Sequence, residues 1–208
     1  MAVAFRMAAG LLGWFALALQ YGLVMAGNFE ADALSRTVNF FSYFTILTNI
    51  LAALAFTLPG LAPQSAATRF FLKHTVRTAI TAYIIIVMAI VYFVLRHLTN
   101  LQGWNLAADV LLHYVMPCLF VIDWLLLVPK EMLKLKDGLA GLAFPVVYLL
   151  WTFVHGAYSG FFPYPFLNVG ELGIGRVLLN EAGLLALYLI LGLALVTGGR
   201  LIDKARKA

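Results

Sequence analysis

The chain has 208 residues, of which 63% are hydrophobic and only 11% charged, and its net charge is +5. A soluble fold of this size cannot cover that much apolar surface, so the composition excludes an ordinary aqueous enzyme and makes lipid the solvent. The positive balance needs no nucleic-acid partner, because anchoring to anionic lipid on one membrane face accounts for it.

A helix needs about 20 apolar residues to cross a bilayer, and six such stretches follow one another along the chain: residues 4–26, 38–61, 76–98, 106–128, 138–159 and 176–199. The first has the look of a signal peptide, with Arg6 ahead of an apolar run, but the run is too long and contains Gln20 and Tyr21, so it reads as a retained helix. Pro59, Pro129, Gly138 and the Gly198–Gly199 pair punctuate helix ends. Pro117 and Pro145 fall inside the fourth and fifth spans and predict kinks there. Trp14, Trp104, Tyr158 and Tyr164 stand near span ends, where amphipathic rings form interfacial belts. Gly156 and Gly160 are spaced for close helix approach.

Charge gives the orientation. Arg6, the segment with Arg69, Lys73 and Arg77, the segment with Lys130, Lys134 and Lys136, and the tail with Arg200, Lys204, Arg206 and Lys207 together hold eleven of the fourteen cations. The alternate loops hold Arg36, Arg96 and Arg176, beside Glu30, Asp32, Asp109 and Glu171. The positive-inside rule then places both termini in the cytoplasm. The expected architecture is an all-α membrane protein, a six-transmembrane-helix bundle forming one domain over residues 1–208. It is multi-pass, and lies in the inner membrane if bacterial. Cys118 is the only cysteine, so an intrachain disulfide is excluded, and no Cys/His spacing suggests a metal. No phosphate loop, internal repeat or low-complexity stretch stands out, no cofactor is implied, and the oligomeric state is open.

Polar side chains inside the spans collect near the outer side. Ser42, Thr45 and Asn49 share a face of the second span, and Asp109 and His113 stand one turn apart on the fourth. His155 lies near the outer end of the fifth span and Glu181 in the second turn of the sixth. At about 1.5 Å rise per residue, Ser42, His113, His155 and Glu181 fall roughly 6–10 Å below the outer boundary. Ser and Thr in such helices usually bond the preceding turn, and Glu181 and Asp109 are near enough to the interface for hydration. Asp123, near the inner end of the fourth span, is placed to reach Lys130 or backbone. A hydroxyl beside an imidazole is nevertheless the minimum for nucleophilic acyl transfer. Asp109 is the sequence-local carboxylate to orient His113, and Asn49, Thr45, Tyr43 or His155 could donate to an oxyanion.

Three segments carry a resemblance: Asn39-Phe-Phe-Ser-Tyr-Phe-Thr-Ile-Leu-Thr-Asn49, Leu111-Leu-His-Tyr-Val-Met-Pro117 running on to Asp123-Trp124, and Tyr164-Pro-Phe-Leu167. In order and position they resemble bacterial members of the androgen-induced protein family, over almost the whole chain. Animal members of that family are intramembrane hydrolases with a threonine nucleophile and a histidine, and they cleave fatty acid esters of hydroxy fatty acids. The resemblance implies His113 as the histidine, with Asp123 following at a similar interval. It places the nucleophile best at Ser42, a serine where the animal enzymes have threonine; a shift of one helical turn selects Thr45. The interval from His113 to Pro117 is one residue tighter than in the animal sequences. The expected function is thus an esterase of lipophilic, fatty-acyl esters, with Ser42, Thr45 and His113 catalytic and Asn49, Asp109, His155, Tyr164 and Glu181 around the substrate. The alternatives are a transporter or lipid-binding protein whose outer polar layer receives a head group, and a non-catalytic membrane partner.

Overall fold

The computed structural model describes residues 1–27 and 31–207; Glu30, and the side chains of Arg206 and Lys207, fall outside what it describes. Six helices are long and apolar enough to cross a membrane, Ala2–Ala26, Phe44–Leu61, His74–Leu98, Gly103–Leu127, Leu135–Ser159 and Ile174–Ala205, and no strand occurs among the described residues. The chain is therefore an all-helical, multi-pass membrane protein. Large apolar side chains such as Phe93, Leu150 and Ile190 face outward, which in water would be a liability and in lipid is the expected covering.

Helix α1 (Ala2–Ala26) packs along α3 (Phe44–Leu61), the most buried span, whose Ala52, Ala53, Ala55 and Phe56 are fully enclosed. Between them lies α2 (Ala33–Phe41), whose first turn is capped by the Asp32 carboxylate accepting from the N–H groups of Leu34 and Ser35 at 2.9 and 3.0 Å. The bonds from Ser35 hold the Asp32 carboxyl below its ordinary value. The second span was expected to run unbroken over 38–61. Instead the chain turns at Ser42 and Tyr43, where Tyr43 is extended (φ −80°, ψ 128°). The turn is stable because its polar groups find partners: the Ser42 hydroxyl donates to the Val38 carbonyl (2.8 Å), and the Ser42 carbonyl accepts from the Tyr148 hydroxyl (3.0 Å).

A short α4 (Ala66–Phe71), capped by Ser65, leads into α5 (His74–Ile90), which ends in a π turn over Val91–Leu95. The fourth span is α6 (Gly103–Val110), a π turn over Leu111–Val115 and α7 (Met116–Leu127). Pro117 explains that widening in place of a simple kink: it has no N–H to bond the His113 carbonyl four residues back, so the ladder loosens around His113. The fifth span divides into α8 (Leu135–Ala140) and α9 (Ala143–Ser159), so Pro145 falls in a first turn, where its missing N–H has no intrahelical role. The Tyr83 hydroxyl donates to the Gly141 carbonyl freed at that break (2.5 Å). After α10 (Val169–Leu172), α11 (Ile174–Lys207) runs on through Gly198 and Gly199, which were expected to end it.

At the end of the bundle that carries the termini, Asp123 is fully buried between two arginines. Arg6 Nε donates to its Oδ1 at 2.6 Å, and Arg77, itself buried, donates to Oδ2 and through Nη2 to the Ala55 carbonyl (2.6 Å). One carboxylate thus joins α1, α5 and α7, and Arg77 extends the link to α3. Asp123 was expected to reach Lys130 or backbone; Lys130 instead caps α7, donating to the carbonyls of Trp124, Leu125 and Val128 at 2.6–3.0 Å.

The α1–α3 contact depends on Gly10. A Cβ there would overlap Thr57 Cγ2 and press on Phe56 Cβ, both anchored close to the α3 backbone. Gly10→Ala is expected to cost about 1–3 kcal/mol by overpacking, measured as a lower midpoint of thermal unfolding in detergent, while Gly22→Ala, with open space around it, leaves the midpoint unchanged.

Candidate active site

A cavity of about 880 Å³ lies at the bundle end opposite the termini, and its lining includes Gln20, Tyr43, Thr45, Arg96, Asp109 and His113. Thr45 sits in the first turn of α3. The break at Ser42 and Tyr43 creates that turn, and with it a set of peptide N–H groups that have no acceptor within the helix. The Tyr164 hydroxyl fills part of the deficit. It accepts from the Thr45 N–H at 3.2 Å and lies 3.3 Å from Thr45 Oγ1. Burial pushes the Tyr164 phenol up to about 12, so it keeps its proton and remains a donor across the physiological range. Tyr164 was expected both in the interfacial belt and around the substrate; its ring turns inward and stacks on Phe166 at 5.2 Å.

His113 lies in the π turn. Its Nδ1 is 2.8 Å from Asp109 Oδ1 and 3.1 Å from the Asp109 carbonyl, so the one-turn spacing read in the sequence brings the pair into contact. With Nδ1 as the donor, the carboxylate fixes the tautomer and leaves Nε2 as the basic nitrogen. Nε2 has no hydrogen-bond partner among the described residues.

Asn49 joins the two halves. It is fully buried, and its amide donates to the Thr45 carbonyl (2.9 Å) and to the Leu112 carbonyl (3.1 Å), so it ties the turn bearing Thr45 to the residue before His113. It does not line the cavity. With both bonds committed, its amide is a positioning group and not an oxyanion donor.

Ser42 departs from the expectation of a cavity shared with His113. It is 1% exposed and lines no cavity described here. Its hydroxyl donates to Val38 and accepts from Trp151 Nε1 at 3.2 Å. The physical reason is the helix break: it turns Ser42 toward α9 and leaves Thr45, three residues on, as the hydroxyl on the cavity side. His155 belongs with Ser42, since it stacks on Trp151 at 5.4 Å and pairs with Asn39 Oδ1 at 3.0 Å. Glu181 lies in neither group and lines a separate slot. Arg96, counted in the sequence only as a charge, is the one Lys or Arg on the cavity lining. Among the described residues no three His, Cys, Asp or Glu side chains cluster as metal ligands would.

No family model, no curated protein and no solved structure matches the chain.

Proposed function

We propose that the chain is a membrane-embedded hydrolase of lipophilic carboxylic esters, with Thr45 as nucleophile, His113 as general base and Asp109 as the carboxylate that holds the imidazole. The observation that carries this reading is that Thr45 and the Asp109-oriented His113 line one cavity. Thr45 Oγ attacks the ester carbonyl carbon while its proton passes to His113 Nε2. The developing oxyanion is met by the first-turn N–H groups of α3, at the positive end of its dipole, and by the Tyr164 hydroxyl. Collapse expels the alcohol, which takes the proton from Nε2. Water, activated by the same nitrogen, then cleaves the acyl-threonine and releases the carboxylic acid. The cation-rich end of the bundle faces the cytoplasm in this reading, so the cavity opens toward the other leaflet.

The resemblance to the androgen-induced protein family supports the same chemistry, with the threonine position carried by Thr45 in place of Ser42. The purified full chain in detergent is expected to react with a fluorophosphonate probe at the peptide bearing Thr45, and His113→Ala to lose that label. Tight binding of an intact long-chain ester with no labelled hydroxyl would point instead to a lipid-binding protein.

A further inference from the structure

A second void adjoins the first. It is a slot of about 40 Å³ between α5, α9 and α11, roofed by Tyr164, Phe166 and Leu167. Thr45 and Tyr164, with Val91 and Leu95, line both voids, so the residue proposed as nucleophile belongs to the wall they share. The two voids differ greatly in size and in what lines them.

Glu181 is the only charged residue on the slot lining. It stands seven residues before Tyr188 on α11, so both project from one face of that helix toward the slot. Each is 8% exposed. The other polar groups on the lining already have partners: Thr45 and Tyr164 lie together, and Tyr148 donates to the Ser42 carbonyl. The Glu181 carboxyl and the Tyr188 hydroxyl have no hydrogen-bond partner among the described residues. Two unpaired polar groups in an apolar slot are costly unless a guest satisfies them.

The guest must be small. About 10–15 Å³ of such space holds one water-sized group, so 40 Å³ admits roughly three or four heavy atoms. It must also donate and accept at once, giving a hydrogen to Glu181 and taking one from Tyr188. A hydroxyl does both. A hydrocarbon end leaves both groups unpaired, a carboxylate meets Glu181 as a like group, and an ammonium accepts nothing from Tyr188. We propose that the slot receives a short acyl arm ending in a hydroxyl, held by Glu181 and Tyr188, while the large cavity takes the lipophilic alcohol. The substrates are then short hydroxyacyl esters of long-chain alcohols. This assignment of the two arms rests on the hydrolase reading above; the hydroxyl-binding slot does not.

The test uses the full chain in detergent micelles with the nucleophile silenced by Thr45→Ala, so that binding is read without turnover. Dissociation constants are measured for hexadecyl 4-hydroxybutanoate, hexadecyl pentanoate and hexadecyl 4-aminobutanoate, whose acyl arms have equal numbers of heavy atoms. The hydroxy ester is expected to bind about tenfold tighter than the pentanoate, and Glu181→Leu, added to Thr45→Ala, to abolish the difference. Tyr188→Phe, a smaller change, is expected to narrow it and serves should Glu181→Leu fail to fold. Equal affinities, tighter binding of the amino ester, or a preference that survives both substitutions overturns the slot assignment. Failure of the unsubstituted protein to hydrolyse any ester, with the binding preference intact, removes the hydrolase reading and leaves the hydroxyl site standing.

Discussion

Thr45→Ala is expected to lower kcat for a long-chain ester by about 10³-fold or more, while Ser42→Ala leaves kcat/KM within about threefold of the unsubstituted protein. The two residues stand three apart and both carry hydroxyls, so the contrast separates position from chemistry. Thr45 lines the cavity with His113, and its Oγ1 lies 3.3 Å from the Tyr164 hydroxyl. Removing it deletes the atom proposed to form the acyl bond, and what survives is the help that the remaining groups give to direct attack by water. The Ser42 hydroxyl is spent within the helix break, on Val38 and Trp151. Losing it costs a hydrogen bond, worth about 1 kcal/mol of stability, and leaves the cavity intact. Thr45→Ser is expected to retain much of the activity, because the nucleophilic oxygen returns without the methyl group. Michaelis constants and turnover numbers for the three variants decide the matter, and a Ser42→Ala protein as inactive as Thr45→Ala would return the nucleophile to Ser42.

Why the sequence favoured Ser42 over Thr45, one turn on, is physical. Hydropathy reads 38–61 as one apolar stretch, and on a single straight helix Ser42, Thr45 and Asn49 would share a face. Nothing in the local sequence signals the break after Phe41, because neither Ser42 nor Tyr43 is a helix-breaking residue; tertiary partners on α9 stabilise it. Once the break is present, the shared face dissolves: Ser42 turns to Trp151, Thr45 to the cavity, and Asn49 to the carbonyls of two helices. The Asp109–His113 contact was legible because one-turn spacing brings two side chains together whether or not a π turn intervenes. That π turn had a signal in Pro117, whose missing N–H falls on the His113 carbonyl. The existence of six spans was legible from composition alone, since spanning length is set by the bilayer. Asp123 was harder. Its partners lie 117 and 46 residues away, and no spacing rule links them.

Asp123→Asn is expected to be the most destabilising polar substitution in the bundle, costing about 3–5 kcal/mol. The side chain keeps its shape but loses the charge that neutralises two arginines. Arg77 is 1% exposed, and its Nε already lacks a partner, so it cannot turn to solvent when Asp123 is neutral. Arg6, 12% exposed along its side chain, has more freedom. The asymmetry predicts an order: Asp123→Asn and Arg77→Ala unfold at markedly lower denaturant or temperature than Arg6→Gln, measured by circular dichroism in one detergent. It also predicts a rescue. Replacing Asp123, Arg77 and Arg6 together with Leu, Met and Leu removes every unpaired charge along with the bridge, and is expected to restore most of the lost stability, since apolar packing can replace a buried ion network. A triple variant as unstable as Asp123→Asn would mean that the network contributes something apolar contacts cannot replace. Arg6 and Arg77 are also among the eleven cations that orient the chain, so the triple variant removes two of the charges on which topology depends. A tag on the amino terminus, tested for protease access in intact vesicles, distinguishes an inverted protein from one that merely folds less well.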